Sequence, residues 1–223
     1  MTLVPLHFYT SSYLNKFNRY DSKKMYTLKK LYNRLLKKYG PQGWWPINNN
    51  YHLKDYSYPK TKKQRFEICV GAILTQNTSW TNVENALLNM RQLYLIDPIK
   101  IKNINENILT NAIIPAGYFN QKAKKLKIFS EFYIILKGRI PMRNELLNVW
   151  GIGPETADSI LLYAYKIPTF VVDAYTRRML LDMKMINTDA TYDSIKFLFE
   201  KNLPKDYKLY QEFHALIVEN GKH

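Results

Sequence analysis

LLNVWGIGPETADSILLYAYKIPTFVVDAYTRRML, residues 146–180, holds the reading on which the fold turns. An apolar run breaks at Gly151-Ile152-Gly153-Pro154 and then resumes at helical spacing, as two short helices joined by a tight hairpin would. Glycine has no Cβ and tolerates positive φ, so a Gly-x-Gly pair lets the two helices approach closely. Pro154 suits the first turn of the second helix, where a missing N–H costs nothing. The N–H groups of that turn, backed by the helix dipole, can hold an anion such as a phosphate. One acid, Asp173, stands ahead of Tyr175, Arg177 and Arg178, at the start of the next helix. An ordinary αα-turn closed by a glycine fits the hairpin equally well.

Outward from this stretch the chain reads as helices. Leu28, Leu31, Tyr32, Leu35 and Leu36 recur at helical spacing within Met25–Tyr39, and Gly40-Pro41 stops them. Residues 1–24 are polar without a clear period and read as an arm. QGWWPINNNYHLKDYSYPKTKK forms a long polar loop with two adjacent tryptophans, and long loops in compact domains are often functional. Further helices are expected over 65–76, 79–94, 106–114, 121–136, 145–149, 156–165, 174–183, 192–200 and 207–219. No segment sustains period-two alternation, so the expected class is all-α.

With 223 residues, 46% of them hydrophobic, the chain can bury a core and is not a disordered polyelectrolyte. Its 33 Lys+Arg against 18 Asp+Glu leave a net charge of +15, which favours a polyanionic partner. Lone Cys69, in an apolar helix, rules out an intrachain disulfide or a Cys-ligated iron–sulfur cluster within this chain. The histidines His7, His52, His214 and His223 lack paired ligand spacing, so no catalytic metal is expected. No apolar run approaches the roughly 20 residues that span a bilayer. The N-terminus has no signal-peptide pattern, which makes the cytoplasm, and there the nucleoid, the expected compartment.

Several segments together resemble one family. Leu147–Ala157, LNVWGIGPETA, is similar to the helix-hairpin-helix of the endonuclease III superfamily of DNA glycosylases, and Asp173 falls where that superfamily has an invariant aspartate. AGYFNQKAKKLKIFS (Ala116–Ser130), FEICVGAILTQNTSW (Phe66–Trp80) and FHALIVENGKH (Phe213–His223) resemble its other segments, in the same order. The resemblance implies a two-lobed helical fold, with one lobe from about 1–75 plus 175–223 and the other from about 76–174 carrying the hairpin. It implies a monomer on duplex DNA containing a damaged base, no required cofactor, and an optional K⁺ or Na⁺ on the hairpin carbonyls.

Residue by residue, the resemblance makes Asp173 the catalytic carboxylate; an isolated Asp there would be a plain N-cap. Bifunctional members use a hairpin lysine as nucleophile, and the matching position here is Glu155. Without that amine a β-lyase route is disfavoured, which leaves hydrolysis by water. Glu155, the missing cluster cysteines and Trp44-Trp45-Pro46 together resemble the 3-methyladenine glycosylases, whose base pocket matches Trp44, Trp45, Pro46 and Phe66. An aromatic sandwich suits an electron-poor, cationic alkylated purine. The tryptophans could instead plug the core, and Glu155 could either touch the base edge or serve the helix dipole. Gln76 matches the residue inserted where the base flips out, with Asn77 beside it. Gly151, Gly153, Thr156, Lys122 and Arg177 are the remaining expected DNA contacts, with Lys124 and Arg178 as further cations. The alternatives are a glycosylase for a mismatched or oxidised base, and a non-catalytic helix-hairpin-helix DNA-binding protein.

Overall fold

A computed structural model describes residues 11–223, with side chains described from residue 24 onward. His7 and the first ten residues of the expected arm lie outside the described residues. The elements are α1 (Ser11–Tyr39), α2 (Lys62–Leu74), α3 (Trp80–Gln92), α4 (Pro98–Asn103), α5 (Glu106–Ile113), α6 (Phe119–Ile135), α7 (Arg143–Leu147), α8 (Pro154–Ser159), α9 (Ala174–Asp182), α10 (Tyr192–Asn202) and α11 (Tyr207–Gly221). Among the described residues the only β pairing is an isolated bridge between Ile47 and Asn50, so the all-α expectation holds. The arm is a correction: from Ser11 onward it is helical and continuous with α1.

Local chemistry explains where the helices begin. Thr61 and Gln64 form a capping box at α2, while Asp97 caps α4 with Pro98 in its first turn. Thr191 and Asp206 cap α10 and α11 through side-chain oxygens. The helices pack in two groups. In one, α1 lies on α10 and α11, and α11 on α9; in the other, α4 and α5 lie on α6, and α3 on α5. The expected lobe boundary assigns α2 to the first group; in the structure α2 packs on Ile160–Ala164, α6, α3 and α8. Phe170 stacks on Phe199 at 3.8 Å between ring centroids, with Phe213 edge-on to both, and this cluster anchors the first group.

The helix after the hairpin is not uniform. α8 runs into a π-helical turn over Ile160–Ala164 before the chain leaves for Asp173. Such single-turn π segments gather at functional sites, because the wider turn re-aims side chains and frees carbonyls. Here the freed Leu162 carbonyl accepts from the buried Gln211 amide of α11 at 2.9 Å, which ties the two helices together.

Candidate active site

The hairpin forms as its sequence predicts, but its two glycines differ. Gly151 has φ +83, and a Cβ there would lie 2.6 Å from Cγ of Lys125. Gly153 has φ −91, caps α8 and has no neighbouring atom within 4 Å of the Cβ it lacks, so its outer side is open to an approaching ligand. Beneath α8, the fully buried Asp158 gathers Arg143 at 3.0 Å, Thr169 at 3.0 Å and Tyr192 at 2.9 Å. Arg143 also reaches Asp193, so the hairpin's second helix stands on a satisfied ionic base.

Four expected DNA contacts, Lys122, Arg177, Gln76 and Thr156, have side chains used internally. Lys122 is 2% exposed, and its Nζ donates to the Leu74 carbonyl at 2.8 Å and the Ala116 carbonyl at 2.7 Å. Burial, and then the charge of Lys125, lower its pKa to about 8. Arg177 donates to the Ala190 carbonyl at 2.6 Å, closing the turn after α9. Gln76 faces the hairpin: its amide donates to the Gly151 carbonyl and to Oγ1 of buried Thr156, both at 3.0 Å, and accepts from Lys125 at 2.5 Å. Asn77, at φ 53, turns the chain beside it and is exposed. Lys124 has no ion pair among the described residues and stands 4.7 Å from the ring of half-exposed Trp150.

Asp173 caps α9, with Oδ1 accepting the Thr176 N–H at 2.7 Å. Its Oδ2 lies 3.5 Å from Nε2 of His214 on α11, and Nδ1 of that ring meets the Tyr163 hydroxyl at 2.7 Å. Burial works to raise the Asp173 carboxyl, but His214 and the Thr176 N–H outweigh it, so the net direction is down and the group is ionised at neutral pH. Glu155, in the first turn of α8, shifts the other way. Loss of surrounding water pushes it up first and the Asp173 charge second, with His214 opposing. Two carboxyl groups pushed in opposite directions in one place are the pattern by which sites divide proton-handling roles.

The tryptophan loop is brought to this place from both sides. Glu212 of α11 accepts the Gln42 N–H at 2.6 Å and the Tyr56 hydroxyl at 2.7 Å; Glu67 of α2 accepts the Asn48 N–H at 2.8 Å and Arg91 at 2.9 Å. Both carboxylates are buried, and they bracket residues 43–47. Gly43 has φ +68, and a Cβ there would meet the Leu53 amide nitrogen at 2.6 Å, so only glycine lets the loop close on itself. Trp45 is 8% exposed and packs edge-on to Trp80 and Tyr163, each at 5.2 Å; Pro46 is buried beside it. Trp44 is half-buried, with Trp80 at 6.2 Å and His214 at 6.0 Å. It also lines a cleft of about 320 Å³ with Pro41, Gln42, Tyr51, Glu219 and Lys222.

The structure therefore brings together Asp173, Glu155, Trp44 and Trp45, linked by Tyr163 and His214. It does not bring Phe66 to them: that ring is 1% exposed and packs on Tyr133 at 4.8 Å, inside the core. Trp80, Tyr163, Lys125 and His214 carry no signal in the sequence reading. Tyr163 and His214 occupy apolar faces of helices 51 residues apart, a distance that no motif spans. Among the described residues no group of three or more His, Cys, Asp or Glu could hold a metal ion, and no helix is long and apolar enough to cross a membrane.

Comparison with known proteins agrees with the helical fold. Residues 70–205 match the family described as HhH-GPD superfamily base excision DNA repair protein. A protein of Methanocaldococcus jannaschii, provisionally named a DNA repair glycosylase, is 47% identical over 204 residues, covering 86% of each chain. Among solved structures, the H. pylori 3-methyladenine DNA glycosylase MagIII bound to 1,N6-ethenoadenine has a TM-score of 0.69 and 31% identity, over 91% of this chain and 97% of that one. A non-covalent endonuclease III–DNA complex matches with a TM-score of 0.70 at 17% identity, over 86% of this chain and 84% of that one, which is a likeness of fold alone.

Proposed function

The chain belongs to the HhH-GPD superfamily of base excision DNA repair proteins, and from that premise we propose that it is a monofunctional DNA glycosylase releasing alkylated purines, 3-methyladenine foremost. The observation that carries the reading is the pair Glu155 and Asp173: a glutamate stands at the hairpin position where lyase-active members have lysine, within the field of an ionised aspartate. With no amine there to attack C1′ of the sugar, water is the nucleophile. The C1′–N bond breaks as its electron pair leaves with the cationic base, which departs neutral. Asp173 stabilises the positive charge left on the sugar and takes a proton from the water as the C1′–O bond forms. The reading of the base as an alkylated purine rests on the Trp44-Trp45 cluster and on the likeness to the H. pylori enzyme.

In this reading the enzyme acts as a monomer, and its cleft lies between the two helix groups. Gly153, with its open side, and Lys124 meet the DNA backbone. The Val149 and Gly151 carbonyls already accept from Ile152 N–H and Gln76, so a K⁺ or Na⁺ would have to share those oxygens; no step runs through it.

Incubation with alkylated duplex DNA and chromatography of the freed bases tests the proposal. Free 3-methyladenine is expected, with Asp173→Asn slower by about 10³-fold while still binding DNA. Release of a mismatched or oxidised base alone would replace the substrate, and release of no base would sink the activity. Borohydride should trap no covalent complex, and a trapped one would overturn the monofunctional step.

A further inference from the structure

His214 takes no part in the chemistry above, yet its Nε2 lies 3.5 Å from Oδ2 of Asp173 and the ring is 5% exposed. We propose that His214 is the positioning residue of the Asp173 carboxylate: held from behind by Tyr163, its Nε2–H faces Oδ2 and fixes the orientation in which Asp173 meets the attacking water. This inference rests on Asp173 being the catalytic carboxylate.

The hydrogen-bond inventory leads to this role. Oδ1 of Asp173 is taken by the Thr176 N–H, which leaves Oδ2 as the free oxygen. Nε2 of His214 is buried and has no hydrogen-bond partner among the described residues, so Oδ2, slightly beyond bonding distance, is the acceptor in reach. A buried donor left without an acceptor is costly, which favours the small movement that closes the gap.

Tyr163 determines which nitrogen faces the acid. Its hydroxyl is 2.7 Å from Nδ1 and 3.3 Å from the Gln211 carbonyl. When the hydroxyl donates to Nδ1, the proton of the neutral ring resides on Nε2. When the ring carries both protons, Nδ1–H donates to the tyrosine oxygen and the hydroxyl turns to Gln211. Nε2 presents an N–H to Asp173 in either state. The π-helical turn carries Tyr163, and the Gln211 amide locks that turn to α11, so the spacing of tyrosine and histidine is built into the backbone. A histidine present only to fill the core beside Trp44 needs neither the aligned hydroxyl nor an Nε2 aimed at a carboxylate.

Other groups bear on Asp173. Burial opposes its ionisation and Thr176 on its own helix supports it; the Asp173 charge in turn pushes up Glu155 on α8 and, with burial and Glu212 of α11, keeps Tyr163 of the π turn neutral. Removing His214 leaves burial opposed only by Thr176, so the Asp173 carboxyl moves up.

The test is single-turnover base release from pH 4 to 9 by wild type, His214→Leu, His214→Gln, Tyr163→Phe and Asp173→Asn, each checked by its unfolding midpoint. His214→Leu should slow release at pH 7 at least about tenfold and move the acid limb up by about one pH unit. His214→Gln, which keeps a donor, should recover part of both, and Tyr163→Phe should move the limb the same way by less. A folded His214→Leu with an unmoved acid limb overturns the proposal, whether its rate is kept or lost. If His214→Leu does not fold, His214→Gln and Tyr163→Phe decide by the same criterion. Activity surviving in Asp173→Asn, or no base release by wild type, removes the catalytic assignment and this proposal with it; an inactive Asp173→Asn beside unaltered His214 profiles removes the positioning role alone.

Discussion

Lys122 looks in sequence like one more cation for a phosphate backbone, and the structure uses it as a helix cap. Leu74 is the last residue of α2, so its carbonyl has no partner within the helix. The Lys122 ammonium fills that place and binds Ala116 as well, favourably placed at the negative end of the helix. Lys122→Met should therefore cost on the order of 2–4 kcal/mol in urea unfolding, since it strands two carbonyls. The pH dependence has a definite sign. The native lysine titrates at about 8 and the unfolded one near 10.5, so above about pH 8 the unfolded chain holds the extra proton and this group makes stability rise toward pH 10. The Met variant should lack that rise in its urea midpoint; an equal rise in both would refute the assignment. Register with the hairpin singled out Asp173 and Glu155, whereas the internal hydrogen bonds of Lys122, Arg177 and Gln76 were not legible. A basic or amide side chain in sequence does not show which carbonyl lies within its reach.

At the scale of elements, helix spacing located most packed helices to within a few residues, because a buried stripe leaves its period in the sequence, but α4 is too short to show one and was not expected. The first turns of α1 escaped notice: residues 11–24 have no apolar period, and a nucleated helix extends without one. The loop between α1 and α2 stood out in the sequence by its length and its tryptophan pair, but its order was not legible. Its anchors, Glu212 and Glu67, lie 170 and 19 residues from the amides they accept. Glu212→Gln keeps one acceptor and loses the charge that holds both Gln42 and Tyr56. Amide exchange over 42–58 should accelerate, and base release should fall roughly three- to tenfold with DNA affinity little changed, as expected when a charged hydrogen bond is weakened. Equal losses in binding and release would mean that the loop holds DNA and not the base.

For the molecule as a whole, +15 overstates the charge available to DNA. Lys122, Arg177, Arg143 and Arg91 are committed to carbonyls or acids of the chain itself. Duplex affinity should fall with KCl on a log–log slope of roughly −4 to −7, equivalent to about five to eight phosphate contacts at 0.9 each. Anisotropy titrations from 50 to 300 mM measure it, and a slope near zero would remove the electrostatic footprint. The expected insertion residue adds a kinetic consequence. Gln76 is stowed, with its amide on the hairpin and Lys125 on its oxygen. Drawing the probe costs three hydrogen bonds, at about 1 kcal/mol net each. Were Gln76 the inserting residue, stacked, paired DNA would not repay that cost but a step already loosened by damage would, and the sheath would bias the search toward lesions before any base entered the cleft.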